Sequence, residues 1–168
     1  TTIGVLNAST LGKIDVQGPD AREFLNRVYT NAWMKLAPGK ARYGLMLGED
    51  GMVMDDGVTA CIADDHFHMT TTTGGAARVL SKLEDYLQTE WPDLRVYLTS
   101  VTEQTAVVSL CGPDCHMLVS ELCGDLDADP SRFEFMSWRD AQIGGIPVRV
   151  FRISFTGELS YEINIKAT

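Results

Sequence analysis

Apolar and polar positions alternate through residues 11–17, the period of a half-buried strand. The run ends in Gly18-Pro19-Asp20. Proline at a first helical position with an acid in the first turn opens a helix. Ala21, Phe24, Leu25, Val28 and Tyr29 then recur at helical spacing, and Pro38-Gly39 closes the connection that follows. Residues 40–47 and 52–62 predict a hairpin around Gly48-Glu49-Asp50-Gly51, because glycine tolerates positive φ and aspartate bonds its own backbone. A tight turn at Ala63-Asp64-Asp65 leads to a strand over 66–72. Ala76, Val79, Leu80, Leu83, Tyr86 and Leu87 form one helix face, which must stop before Trp91-Pro92 since a residue ahead of proline avoids the helical region. Strands follow at 94–101 and 105–110.

The opening pattern then returns. Val107 to Asp114 repeats the order strand, Gly-Pro-Asp, helix seen from Ile14 to Asp20, which predicts an internal pseudo-repeat. The second helix is expected to turn Leu118 and Leu122 inward, with Gly124 at its C-terminal stop. Residues 125–138 read as a loop with a short helix, and 142–155 as a hairpin turned at Gly144-Gly145. In the last strand, 161–165, Tyr161, Ile163 and Ile165 share one face and Glu162 and Asn164 the other. Hairpin-linked strands between helices argue for an α+β fold with mixed or antiparallel sheets, packed helices and pseudo-repeated strand–helix units, against a doubly wound parallel sheet. The chain of 168 residues fits one domain over 1–168, or two tightly fused lobes. Its end on a strand suggests a piece of something larger.

Hydrophobic residues make up 45% of the chain, enough for a core, and no apolar run approaches the length of a membrane span. The net charge of −9, with no cluster of lysine and arginine, argues against nucleic acid and anionic membranes as partners. Cys61, Cys111, Cys115 and Cys123 include no C-x-x-C pair and read as reduced, mostly buried thiols of a cytosolic protein. His66 and His68 alternate on a strand but have no third ligand in view, so they read as surface residues and no metal is expected. Nothing in the sequence supplies a base that would make Cys115 a nucleophile.

The sharpest chemical feature is the pair Asp55-Asp56 at the end of Met52-Val53-Met54. Strand neighbours point to opposite faces, so one acid faces inward and the other outward. An acid on the inner end of an apolar strand carries a desolvation cost. The pair reads either as a strand cap or as one structural acid, Asp55, beside a functional one.

Ser154-Phe155-Thr156-Gly157-Glu158 followed by Ser160-Tyr161-Glu162-Ile163 resembles the YTGE…YEI signature of the aminomethyltransferase family, the glycine-cleavage T-protein and its relatives. Residues 51–58 are similar to that family's segment ending in two aspartates, and Gly18-Pro19 and Gly112-Pro113 fall at similar strand-to-helix turns. The runs NASTLGKIDVQGPDA, LQTEWPDL and PVRVFRISFTGELSYEI resemble one branch of the family, the C-terminal folate-binding half of the α subunit of heterotetrameric sarcosine oxidase. The resemblance covers essentially the whole chain.

It implies tetrahydrofolate as cofactor, with flavin and NAD on other parts of a complex, in line with the lack of a G-x-G-x-x-G fingerprint. It implies partner subunits, above all a flavin-bearing one. It places Asp56 at the folate N10 as the catalytic carboxylate and Glu162 on the pterin, with Tyr43, Phe155 and Thr71 lining the site. Phe155 stands where the family has tyrosine, so only ring packing or stacking is kept there. Arg42, Arg149 and Arg152 are the candidate cations for the folate carboxylates. The family domain continues with further folate contacts, an arginine-containing motif and a C-terminal lobe. The implied activity is transfer of the one-carbon unit of oxidised sarcosine to tetrahydrofolate, giving methylene-tetrahydrofolate and glycine. The alternatives are a non-catalytic folate-binding or assembly scaffold of the same fold, as in relatives that serve iron–sulfur assembly, and the folate half of a dimethylglycine-type enzyme. From the residues alone, Glu162 reads as solvent surface and Tyr43 and Phe155 as core aromatics.

Overall fold

A computed structural model describes residues 3–167. In chain order the elements are β1 (Gly4–Asn7), β2 (Gly12–Gln17), α1 (Ala21–Val28), β3 (Ala41–Leu47), β4 (Val53–Ala63), β5 (His66–Thr71), α2 (Ala76–Thr89), β6 (Tyr97–Ser100), β7 (Thr105–Cys111), α3 (Cys115–Leu122), β8 (Ser137–Ile143), β9 (Ile146–Arg152) and β10 (Ser160–Lys166). They form two compact units, one of Thr10–Glu103 and one of Gln104 onward with the residues through Ser9. No helix among the described residues is long and apolar enough to cross a membrane.

The first of these, the N-terminal unit, is a five-stranded sheet in the order β3-β4-β5-β2-β6, with each pairing antiparallel. Alternation sends Ile14 and Val16 of β2 and Phe67 and Met69 of β5 to the face covered by the helices. There they meet Phe24 and Leu25 of α1 and Val79 and Leu83 of α2. Each of these side chains is almost fully buried, which contributes about 1.5–3 kcal/mol apiece before conformational entropy is counted. α2 ends ahead of Pro92, with Glu90 and Trp91 N–H groups on the Tyr86 carbonyl, and the Trp91 ring meets Phe24 edge-on at 6.0 Å.

In the C-terminal unit the sheet order is β1-β7-β10-β9-β8, again antiparallel. Leu110, Val148, Val150, Tyr161 and Ile163 pack under Cys115 and Val119 of α3 and under Phe133 of the connection that follows. The fold is α+β, and the pseudo-repeat is visible in its turns. Gly18 (φ 124°) and Gly112 (φ 116°) occupy equivalent places between strand and helix. Both conformations are ones an L side chain rarely adopts. The amides of Ala21 and Cys115 return to the Gly18 and Gly112 carbonyls at 3.0 and 3.1 Å.

Four local expectations change. α3 turns Cys115 and Val119 inward, while Leu118 is half-buried and Leu122 is exposed, because the inward stripe continues to Cys123. Gly124 does not take the left-handed conformation, and α3 closes with the Cys123 amide on the Val119 carbonyl. Residues 125–136 hold turns and no helix, pinned by a Tyr161 hydroxyl that donates to the Ala128 carbonyl. β1 is a short exposed strand paired along β7, and β6 begins only at Tyr97.

Candidate functional site

The hairpin of β3 and β4 pairs Ala41 with Ala60 and runs to Leu47 opposite Val53. On β4 the two adjacent acids separate as the pleat requires. Asp55 is buried on the helix side. Its Oδ1 accepts from Thr72 Oγ1 at 2.5 Å and its Oδ2 from the Thr72 amide at 3.2 Å. A Cβ on Gly75, just ahead of α2, would stand 2.1 Å from this carboxylate. Asp55 therefore fastens the start of α2 to the sheet, the structural acid of the pair.

Asp56 lies on the other face and is half-buried. Tyr43, its diagonal neighbour across the hairpin, donates its hydroxyl to Asp56 Oδ2 at 2.8 Å. That hydrogen bond raises the Tyr43 phenol above its ordinary pKa. Asp56 Oδ1 accepts nothing from the described residues. Tyr43 is 48% exposed, so it is no core aromatic. The arrangement is a carboxylate steadied at one oxygen and open at the other, able to accept a donor and to hold a proton.

Thr71 is not brought to this face. It alternates with Met69 into the buried side, its hydroxyl donates to the Thr72 carbonyl, and it fits only because Gly12 has no Cβ. Thr70 occupies the Asp56 side of β5, bonded to both the amide and the carbonyl of Val58.

The same face carries a cluster that spacing alone does not reveal. Asp15 Oδ1 lies 2.6 Å from His68 Nδ1 and Asp15 Oδ2 lies 3.1 Å from His66 Nε2. Burial pushes the Asp15 carboxyl up, but the hydrogen bonds and charge of His66 and His68 outweigh it and hold the group well below the usual carboxylate range. The register Asp15↔His68 supplies a partner that lies far away in sequence, so the histidines are not simple surface residues. Among the described residues no group of histidine, cysteine and acid side chains is arranged to hold a metal ion.

In the C-terminal unit Glu162 of β10 sits in register between Ser109 of β7 and Phe151 of β9. It is buried, not solvent surface. Asn164 shares its face and is buried too, and Asn164 Oδ1 has no hydrogen-bond partner among the described residues. Phe155, on the connection between β9 and β10, is 94% exposed. The turn that presents it is closed by the Gly157 amide on Ser154 Oγ at 2.9 Å.

Of the three candidate cations, Arg149 is committed to Asp140 through two contacts at 2.8 and 3.2 Å and lies over Trp138. Arg42 donates to the Ala32 carbonyl. Arg152 donates to the carbonyls of Pro130 and Phe133. Burial, with a smaller contribution from Cys111, pushes the Cys115 thiol up to about 11, so it is not a thiolate at neutral pH.

Residues 1–168 match the family described as GCVT N-terminal domain. The chain is 56% identical over 165 residues to a sarcosine oxidase subunit alpha of Corynebacterium sp. (strain P-1), covering 98% of this chain and 17% of that protein. It is 34% identical over 163 residues to an aminomethyltransferase of Mycobacterium bovis (strain ATCC BAA-935 / AF2122/97), covering 97% and 42%. The chain thus spans about a sixth of the first relative and under half of the second. Its fold superimposes on the glycine cleavage system aminomethyltransferase T from Bartonella henselae with a TM-score of 0.83 at 22% identity, covering 99% of this chain and 42% of that one. A chain of the heterotetrameric sarcosine oxidase from Corynebacterium sp. U-96, in complex with pyrrole 2-carboxylate, gives a TM-score of 0.71 at 17% identity, with 98% and 75% covered.

Proposed function

The chain belongs to the GCVT N-terminal domain family, and on that premise we propose that it is the tetrahydrofolate-binding region of a sarcosine oxidase α subunit, working as one domain over 1–168. There the one-carbon unit of oxidised sarcosine passes to tetrahydrofolate, giving methylene-tetrahydrofolate and glycine. The observation that carries this reading is Asp56, held at Oδ2 by Tyr43 and open at Oδ1.

Each unit by itself carries groups that fit the chemistry of the cofactor. A folate needs aromatic surface for its ring and acceptors for its pterin N–H groups. Tyr43 and Phe155 are exposed rings, and Glu162 and Asn164 are buried acceptors on one strand face. When bound, tetrahydrofolate supplies the nucleophilic nitrogens that receive the one-carbon unit. In this reading Asp56 accepts the N10–H, holds a proton at Oδ1 and opposes developing positive charge. Glu162 offers an acceptor-only fork to adjacent pterin N–H donors. Phe155 stacks, without the hydroxyl of the family's tyrosine. Thr71 contributes through its backbone alone, since its side chain lies on the opposite face and its hydroxyl is already engaged. Flavin and NAD belong to other parts of the complex, in the cytoplasm, with a flavin-bearing subunit as the principal partner.

Calorimetric titration with tetrahydrofolate tests the reading. Wild type should bind, Glu162→Ala should bind about tenfold or more weakly, and Asp56→Asn should bind nearly as wild type. In the whole oxidase Asp56→Asn should lose formation of methylene-tetrahydrofolate. Unchanged transfer in that variant would leave a folate-binding scaffold instead.

A further inference from the structure

The C-terminal unit carries a cleft of about 440 Å3 lined by Arg152 and by the turn that presents Phe155. Pro130, Phe135 and Leu159 give it apolar walls, and Arg152, Ser154 and Glu158 give it polar ones. Its lining holds one cation and one anion. Arg22, Arg27, Arg95, Arg132 and Arg149 each have a carboxylate partner. Arg42, Arg78 and Arg139 donate to backbone carbonyls and have none among the described residues, and neither has Arg152. Its Nη1 is committed to the carbonyls of Pro130 and Phe133, and its Nε is buried without a hydrogen bond to any described residue. A guanidinium drawn out of water with no counter-ion carries a standing desolvation cost, and a carboxylate ligand offsets it.

Glu158 lines the same cleft, is exposed, and also lacks an ion-pair partner among the described residues, Arg152 included. Ser154 Oγ accepts the Gly157 amide, which leaves its hydroxyl hydrogen free to donate. An unpaired cation and an unpaired anion that share one half-apolar cleft without meeting suit a ligand with both charges. A simple anion would be repelled by Glu158, and a simple cation by Arg152.

We propose that this cleft binds a small apolar α-amino acid as its zwitterion. Its carboxylate lies against Arg152 and the Ser154 hydroxyl, its ammonium against Glu158, and its side chain against Phe135, Pro130 and Leu159. The cleft volume is within the range of small-molecule sites. The inference does not rest on the folate reading, in which Arg152 is a candidate cation for the folate carboxylates; the amino-acid site uses that cation instead.

The test is calorimetric titration of the protein with three probes: L-leucine, 4-methylpentanoate, which lacks the ammonium, and 3-methylbutylamine, which lacks the carboxylate. Leucine should bind about tenfold or more tightly than either half, the scale of one charge-assisted hydrogen bond. Glu158→Gln should cost leucine about tenfold while leaving 4-methylpentanoate unchanged. Because Arg152 also straps the 130–133 segment, Glu158→Gln is the decisive variant: Glu158 is exposed and its substitution leaves the fold intact. Equal binding of leucine and 4-methylpentanoate, no saturable binding of leucine, or no effect of Glu158→Gln would each overturn the proposal.

Discussion

In the N-terminal unit the strand ahead of Gly18 sets Asp15 opposite His68, while in the C-terminal unit the strand ahead of Gly112 sets Ser109 opposite Glu162. Asp15 and Ser109 each stand three residues before the glycine, so these are equivalent register positions in two copies of one plan. The strand orders correspond as well. Edge, glycine-turn strand, central strand and hairpin follow as β6-β2-β5-β4-β3 in one unit and β1-β7-β10-β9-β8 in the other. α1 and α2 cover the apolar face in one and α3 in the other, and that face is mostly aliphatic and aromatic, with Asp55 and Thr71 as polar members in the N-terminal unit. The faces turned away from the helices have diverged. One has a carboxylate locked between imidazoles and a second carboxylate, Asp56, left half open. The other has a buried acid beside an orphaned amide oxygen. Packing constrains the covered face, whereas the other face is free to take on chemistry as long as the strand register holds.

The largest expected break in this comparison is Asp56→Asn. One-carbon transfer in the whole oxidase should fall about 100-fold or more, the scale of a lost acid–base group, with the melting temperature unchanged. The glycine turns come next. Gly18→Ala and Gly112→Ala should each cost about 1–2 kcal/mol in denaturant unfolding, since both force an alanine into positive φ. Gly18→Ala should cost more, because its Cβ would stand 2.2 Å from the Arg95 carbonyl. A neutral Gly112→Ala would show that the two turns are not equivalent.

Asp15→Asn sharpens the contrast through pH. The Asp15 carboxyl is held below its unfolded value of about 4, so its contribution is present above that pH and is lost as the pH falls through the lower folded value. Wild type should exceed the variant by about 1–2 kcal/mol near neutrality, and the two should converge in acid. A constant gap at every pH would mean that the charge of Asp15 is not what matters. The smallest effect on stability is expected for Phe155→Ala, within about 0.5 kcal/mol, since the ring is 94% exposed. In the proposed function the same variant weakens folate binding.

Much of this plan is legible in the sequence. Gly-Pro-Asp after an alternating strand announces both strand-to-helix turns, and two adjacent acids on a strand must divide between its faces, as Asp55 and Asp56 do. What stays hidden depends on distant partners. No local pattern joins Asp15 to His68, because their contact is created by the pairing of β2 with β5. β1 is four residues long and takes its shape from β7 alone. The inward stripe of α3 follows Cys115, Val119 and Cys123, since small side chains are needed where Phe133 and Tyr161 already fill the space, and leucine spacing misleads there. Burial of Glu162 and exposure of Phe155 likewise depend on what covers each strand, which polarity alone does not report.

The four thiols give each unit its own clock. Cys61 reports on the N-terminal unit and Cys115 and Cys123 on the C-terminal one; all three are buried, and burial raises each thiol's pKa. An alkylating reagent reaches them only when their unit opens, so labelling rates read as opening free energies, measured separately for the two halves in a single reaction. Half-buried Cys111 provides the internal standard for modification without opening.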